Sequence, residues 1–305
     1  MEEYPANTLE FEEQFATEQA CRDYLWRIRF PDGFSCPRCK CESFWTTSRG
    51  LYCCRQCEYQ LSPTAGTIFQ GTRKPLRLWF RAIWYVVGQK YGVSALGLQR
   101  ALGLGSYRTA WTWMHKLRRA MVRPGRDQLR GTVEVDETYV GGKKKGKAGR
   151  GAKGKSLVVV AAEEDGNRIG RIRLCRVTDA SADSLEEVVK QTVKPGTTIR
   201  TDGWRSYGNL DDMGYEHDVV RQSADVGDNP LPLVNRVIAL LKRWLLGTHQ
   251  GAIQPEHLDY YLDEFTFRFN RRTSRSRGKL FYRLMQQAVV VGAVPGNQIE
   301  GRTVS

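Results

Sequence analysis

Long apolar runs are missing from this 305-residue chain. Its most apolar stretches, Leu157 to Ala162 and Ala288 to Val294, fall far short of the ~20 residues that a membrane-spanning helix needs, so no membrane partner is expected. A basic then apolar leader is missing too. The chain opens on Met1-Glu2-Glu3-Tyr4-Pro5, acidic and polar, and the expectation is a cytoplasmic protein. Histidine is scarce, and the four present (His115, His217, His249 and His257) show no metal-ligand spacing. Acid is in deficit, with 33 Asp and Glu against 47 Lys and Arg, a net charge of +14 that calls for a polyanionic partner. There is no internal repeat. Hydrophobic content of 41% excludes wholesale disorder, and the length allows roughly two or three domains.

What is present in concentration is cysteine. Cys36-Pro37-Arg38-Cys39 and Cys54-Arg55-Gln56-Cys57 are two C-x₂-C pairs a hairpin's length apart. Each pair can turn two thiolates toward one ion, so the spacing predicts a tetrahedral Cys₄ zinc ribbon, with Gly50 at the hairpin turn. In a reducing compartment the thiols favour structural Zn²⁺ over disulfides. Cys41 and Cys53 flank the pairs as spare thiols or substitute ligands, while Cys21 and Cys175 read as small apolar residues.

Around the ribbon the periodicity is helical. Phe11, Phe15, Cys21, Tyr24, Leu25 and Ile28 recur at helical intervals over residues 8 to 30, with Thr17 as an N-cap. Leu76, Trp79, Phe80, Ile83, Trp84 and Val87 make an i, i+3, i+4 stripe behind Pro75. Then come a short helix from Val93 to Leu102, a Gly-containing turn, and a longer helix after Ser106. That is a helix-turn-helix pattern, which would offer Arg108, Thr109, Trp113, His115 and Lys116 to a major groove. A helical linker packing its own core fits the same pattern.

Beyond residue 131 strands alternate with helices. Thr132 to Val140, Ser156 to Ala162, Arg168 to Val177, Thr197 to Thr201 and Glu216 to Val220 read as strands, and Ser181 to Thr192 and Leu233 to Leu246 as helices. The order predicts an α/β domain of the ribonuclease-H-like class. The domains expected are a helical segment at 1–33, the zinc ribbon at 34–74, the helix-turn-helix segment at 75–125, and the ribonuclease-H-like domain at 131–290. The last carries a basic insertion at 141–155 and is followed by a tail at 291–305.

Asp136 closes the first strand of that domain and Asp202 the later short one. Carboxylates at the ends of neighbouring strands can share hard divalent cations, the arrangement that two-metal phosphoryl transfer requires. Asn235 and Lys242 stand two helical turns apart on one helix face, a neutral oxygen donor and a cation fit to hold a DNA phosphate. Asn235 also fits as an ordinary polar residue on an amphipathic helix.

Taken in order, the zinc ribbon, the helical segment, Val135-Asp136-Glu137-Thr138-Tyr139-Val140-Gly141-Gly142, Thr201-Asp202-Gly203-Trp204 and Leu240-Leu241-Lys242-Arg243 resemble bacterial insertion-sequence transposases of the ISXO-like family. Leu245 to Gly251 and Tyr261 to Arg272 look like that family's C-terminal signature. The resemblance implies Asp136, Asp202 and Asn235 as catalytic ligands of two Mg²⁺ or Mn²⁺ ions, followed by Lys242. It also implies binding of double-stranded DNA at terminal inverted repeats, hydrolytic strand cleavage, and joining of 3′-hydroxyl ends to target DNA. The protein would then be nucleoid-associated and act as a homodimer or larger assembly. Where the family commonly has His-Thr-Asn before the third ligand, this chain has Leu231-Pro232-Leu233. A catalytically inactive or domesticated DNA-binding regulator, or a structure-selective nuclease, would share the same motifs. Two basic tracts suit DNA phosphates: Lys143, Lys144, Lys145, Lys147, Arg150, Lys153 and Lys155 in the insertion, and a second patch around Arg268, Arg271 and Arg272. Phe265, Phe267 and Phe269 interleave with the second patch, either as core or as base-stacking platforms.

Overall fold

The computed structural model describes residues 3–123, 125–141, 155–221, 229–251 and 253–299, apart from the side chain of Asn297. Contacts divide the chain into two compact units, one formed by Met1–Arg123 with Ser274–Ser305, the other by Pro124–Thr273.

The first unit begins with α1 (Thr8–Gln14) and α2 (Glu18–Arg29). Asn7 and Thr17 cap them, each accepting first-turn N–H groups. A three-stranded antiparallel ribbon follows, β1 (Phe44–Thr46), β2 (Tyr52–Cys54) and β3 (Gln60–Leu61). Gly50 takes φ +72° in the β1–β2 turn, as the hairpin predicted, and its N–H donates to the Thr47 carbonyl at 2.8 Å. Trp26 of α2 stacks on Tyr52 at 3.6 Å and packs on Phe34 and Phe44, which seats the ribbon against the helix. Then come α3 (Leu76–Gly88), α4 (Ala95–Leu102) and α5 (Tyr107–Ala120). Gly103 ends α4 in the left-handed region, the standard αL stop. Ser106 precedes α5 as expected but makes no capping bond with its side chain.

The second unit holds β4 (Thr132–Val140), β5 (Ser156–Asp165), β6 (Arg168–Val177), α6 (Ala182–Thr192), β7 (Thr198–Thr201), β8 (Glu216–Val219), α7 (Pro232–His249) and α8 (Leu258–Asn270). Its five strands lie in the order β6-β5-β4-β7-β8. β4, β5 and β6 are antiparallel neighbours, whereas β7 runs parallel to β4 and β8 parallel to β7. Strand alternation sends two sets of side chains to opposite faces. Val133, Val135, Val159 and Ala161 pack with Leu185 and Val189 of α6. Val158, Val160, Ala162, Ile172 and Leu174 pack with Val234, Val237 and Leu241 of α7 and with Phe265 and Phe269 of α8. The aromatic residues Phe265, Phe267 and Phe269 are therefore core, buried to 8% exposure or less, and do not form a stacking platform. Beside them, the Asn270 amide accepts the Ile172 N–H at 2.7 Å and donates to the Ile172 carbonyl at 3.1 Å.

The chain then returns to the first unit as α9 (Arg277–Val290) and the single turn α10 (Gly296–Ile299). This corrects the expected boundary, which assigned 274–290 to the α/β domain. Phe281 of α9 lies among Phe11, Phe15, Tyr24, Phe80 and Trp84 at centroid distances of 5.5 to 6.1 Å. Burying such a ring is worth about 3–5 kcal/mol against truncation. Gly278 sits so close to the Pro5 carbonyl that no Cβ would fit there. The aromatic stripe of α3, a little under 200 residues earlier in sequence than its partner helix, cannot reveal that closure by periodicity.

Candidate functional site

The cysteine site is built from two matching turns. In one, the Lys40 N–H donates to the Cys36 carbonyl at 2.9 Å, and in the other the Glu58 N–H donates to the Cys54 carbonyl at 3.0 Å. Lys40 and Glu58, each four residues after the first cysteine of its pair, both sit at positive φ, 64° and 57°. The turns bring the four sulfurs within 4.8 Å of one another. Cys36 Sγ lies 3.6 Å from Cys57 Sγ, and Cys39 Sγ lies 3.5 Å from Cys54 Sγ. Zn–S bonds of ~2.3 Å in a tetrahedron require sulfurs about 3.8 Å apart, so the donor set fits a structural Zn²⁺. Desolvation pushes the Cys54 thiol up, but the N–H groups of Cys57 and Gln56 outweigh it and hold the group at about 6. Cys41 and Cys53 are outside the cluster, their thiols directed at the carbonyls of Ser43 and Glu58. Cys21 is fully buried, and burial first, then Glu18, pushes its thiol up to about 12.

Asp136 and Asp202 are carried by two neighbouring segments, β4 and the turn after β7. Parallel pairing aligns Thr132 with Thr198, Val133 with Ile199 and Glu134 with Arg200. Asp136 lies in the middle of β4, paired with Val160 of β5 rather than closing the strand as expected, and Asp202 is the residue that follows β7. Gly203, at φ +77°, turns the chain off the sheet immediately after Asp202, and a Cβ there would meet Val219 Cγ1 at 2.5 Å. The Trp204 N–H donates to Asp202 Oδ1 at 2.9 Å and the Glu137 N–H to Asp136 Oδ1 at 2.8 Å. On the opposite face, the Tyr207 hydroxyl donates to Glu137 at 3.1 Å. Burial, then the charges of Glu137, Asp136 and Asp202, raise that phenol far above its ordinary range, so it stays a proton donor beneath the acids.

The third element reaches β4 through Glu134, which strand alternation puts on the same face as Asp136. Glu134 is 1% exposed, and its Oε2 accepts the N–H groups of Leu233 at 2.8 Å and Val234 at 2.9 Å. This fastens the first turn of α7 to the strand that carries Asp136 two residues on. Desolvation raises the Glu134 carboxyl, against the two N–H bonds that favour its charge. Asn235 follows at the next position, its Nδ2 donating to Asn229 Oδ1 at 2.7 Å. Lys242 is exposed on the same helix. Glu264 is fully buried in an ion pair with Arg268 at 2.7 Å.

The basic residues divide. Lys143, Lys144, Lys145, Lys147, Arg150 and Lys153 lie outside the described residues, whereas Lys155 is half-buried. On α5, Arg108 is exposed, but Trp113 and His115 are buried, and Trp113 stacks on Trp79 at 3.8 Å. Those two face the core rather than a groove, because the helix that would read DNA also closes the unit's interior. Lys116 is half-buried, and desolvation lowers its ammonium. Arg271 lies 4.2 Å over Phe267. Arg272 lies 4.1 Å over Phe269 and donates to the carbonyls of Ile169, Gly170 and Phe269. Among the described residues, no helix is long and apolar enough to cross a membrane.

Comparison with known proteins adds to this geometry. The model of an ISXO2-like transposase domain matches residues 128–270, and that of a transposase zinc-ribbon domain matches residues 16–60. A protein in the transposable element ISH50 of Halobacterium salinarum is 27% identical over 288 residues, covering 87% of this chain and 94% of the relative. A transposase-like protein of Haemophilus influenzae is 25% identical over 118 residues, covering 37% of this chain and 93% of that protein.

Proposed function

Because this chain belongs to the ISXO2-like transposases, with a zinc ribbon and a DDE-type transposase domain, we propose that it moves DNA through a reaction centre made of Asp136, Asp202, Asn235 and Lys242. The observation that carries the reading is the parallel pairing of β4 with β7, which puts the strand bearing Asp136 beside the strand that Asp202 follows. All three donors are oxygens, the set preferred by Mg²⁺ or Mn²⁺, and Asp136, Asp202 and Asn235 would hold two such ions. When bound, the ions supply Lewis acidity to the attacking and leaving oxygens of an in-line displacement. Lys242, two turns along α7 from Asn235, holds a neighbouring phosphate of the strand being cut. Tyr207 engages Glu137 on the far face and leaves Asp136 and Asp202 to the substrate side.

The reaction would run in two displacements at phosphorus. Water cleaves the element end and leaves a 3′-hydroxyl, and that hydroxyl then attacks target DNA. The helix-turn-helix formed by α4 and α5, through Arg108 and its exposed neighbours, is the proposed reader of the terminal inverted repeats. Lys116 flanks it, and the basic insertion with Arg271 would add phosphate contacts. Two ends require at least two copies of the chain on DNA.

Labelled terminal DNA incubated with Mg²⁺ and a target plasmid tests the reading. The wild type is expected to give joined products, and Asp136→Ala or Asp202→Ala to lose at least about a thousandfold in rate, the scale for removing a charge-stabilising group. Both variants should retain their melting temperature. Cleavage without joining would replace the reading with a structure-selective nuclease, and tight binding without cleavage with a DNA-binding regulator.

A further inference from the structure

The first turn of α7 has no cap of its own. Leu231 occupies the N-cap position and makes no side-chain bond, Pro232 is the first helical residue, and no acid follows in the turn. A helix start leaves backbone N–H groups that need partners, most of all where water is excluded. Those of the first four helical residues are accounted for. Pro232 has no N–H, Leu233 and Val234 donate to Glu134 Oε2, and Asn235 donates to the Leu231 carbonyl at 3.1 Å. The cap is thus supplied from β4, about a hundred residues away in sequence. A carboxylate at this end also complements the positive pole of the helix.

We propose that Glu134 is a positioning residue for the reaction centre. By capping α7 from the strand that bears Asp136, it fixes the distance between Asp136 and Asn235, which belong to two separate elements. Bond lengths of 2.8 and 2.9 Å on one buried oxygen leave little slack, so the metal-binding geometry depends on how far the side chain reaches. The inference rests on Asn235 being a metal ligand, as proposed above. The first unit contains a structural counterpart. Pro75 precedes α3 without a side-chain cap, and Glu18 of α2 accepts the N–H groups of Leu76 and Arg77 at 2.8 and 3.1 Å.

Two conservative variants separate reach from charge. Glu134→Gln keeps the acceptor oxygen at full length and loses the charge, whereas Glu134→Asp keeps the charge and withdraws the oxygen by one methylene. Mn²⁺ titration of the full chain, followed by electron paramagnetic resonance of the free ion, reads the site without any turnover. Hydrogen exchange of the Leu233 and Val234 amides reads the cap. Glu134→Gln is expected to stay within threefold of wild-type Mn²⁺ affinity, with both amides protected. Glu134→Asp should weaken Mn²⁺ binding at least tenfold and expose both amides. Glu18→Asp, which withdraws the other cap, should leave Mn²⁺ affinity unchanged. If Glu134→Asp binds Mn²⁺ as well as Glu134→Gln or better, the reach of the side chain does not set the site and the inference fails. If Asn235→Ala binds Mn²⁺ as the wild type does, the ligand assignment fails instead, whatever Glu134 does.

Discussion

The zinc ribbon and the reaction centre proposed for the α/β unit solve the same problem, gathering ligands, by opposite means. In the ribbon, 21 positions separate the outermost sulfurs, and each pair is folded by a turn of its own. In the α/β unit the proposed ligands come from the middle of a strand, a turn and a helix, and the bond that joins strand to helix spans 100 positions. Closing a short loop is entropically cheap and nearly independent of the rest of the fold, whereas a long-range site exists only once the sheet and its helices are in place. The soft site is therefore a folding element in itself, and the hard one is a product of folding.

The comparison can be broken at three points of decreasing size. Removing one sulfur should cost most, since structural zinc contributes on the order of 10 kcal/mol to its module. Cys54→Ser is expected to lower zinc content, measured by mass spectrometry after dialysis, from one ion per chain to less than a tenth. A variant that keeps its zinc would show that the ribbon is not self-sufficient in the way its geometry requires. Gly203→Ala comes next. It forces a side chain into positive φ and against Val219, for about 1–3 kcal/mol in destabilisation. Strand cleavage should fall while zinc content stays at one, and Val219→Ala should restore part of the loss. Cleavage at the wild-type rate would mean that Asp202 does not depend on that turn. The smallest effect belongs to Lys40→Gly and Glu58→Gly, where glycine relieves positive φ at exposed positions. Thermal melts should shift upward by the equivalent of less than about 1 kcal/mol, and a fall of several degrees would show that those side chains do more than turn the chain.

How much of this could be read beforehand follows the same divide. The cysteine pairs announced their site because the spacing is itself the geometry. Asp202 was legible at the end of its strand, whereas Asp136, expected at a strand end, lies in the middle of β4 because the pairing with β5 continues to Val140. Glu134 was legible only as a face-mate of Asp136, because Leu231-Pro232-Leu233-Val234 shows no capping residue and nothing in sequence says which distant acid replaces it. Trp113 and His115 were misassigned to a DNA-facing surface, since a helix of mixed composition does not declare which face the tertiary core takes. The return of α9 to the first unit was invisible for a related reason. Its apolar period predicts a buried helix face but not the unit that buries it.

Asn270 has a consequence at the level of assembly. β6 is an outer strand of the sheet, and outer strands offer unpaired backbone groups to other chains. By bonding both the N–H and the carbonyl of Ile172, the Asn270 amide serves as a one-residue sixth strand. The middle of that border is closed to β-augmentation. A protein proposed to crowd several copies around two DNA ends thus carries, at Ile172, a block to strand addition along that border.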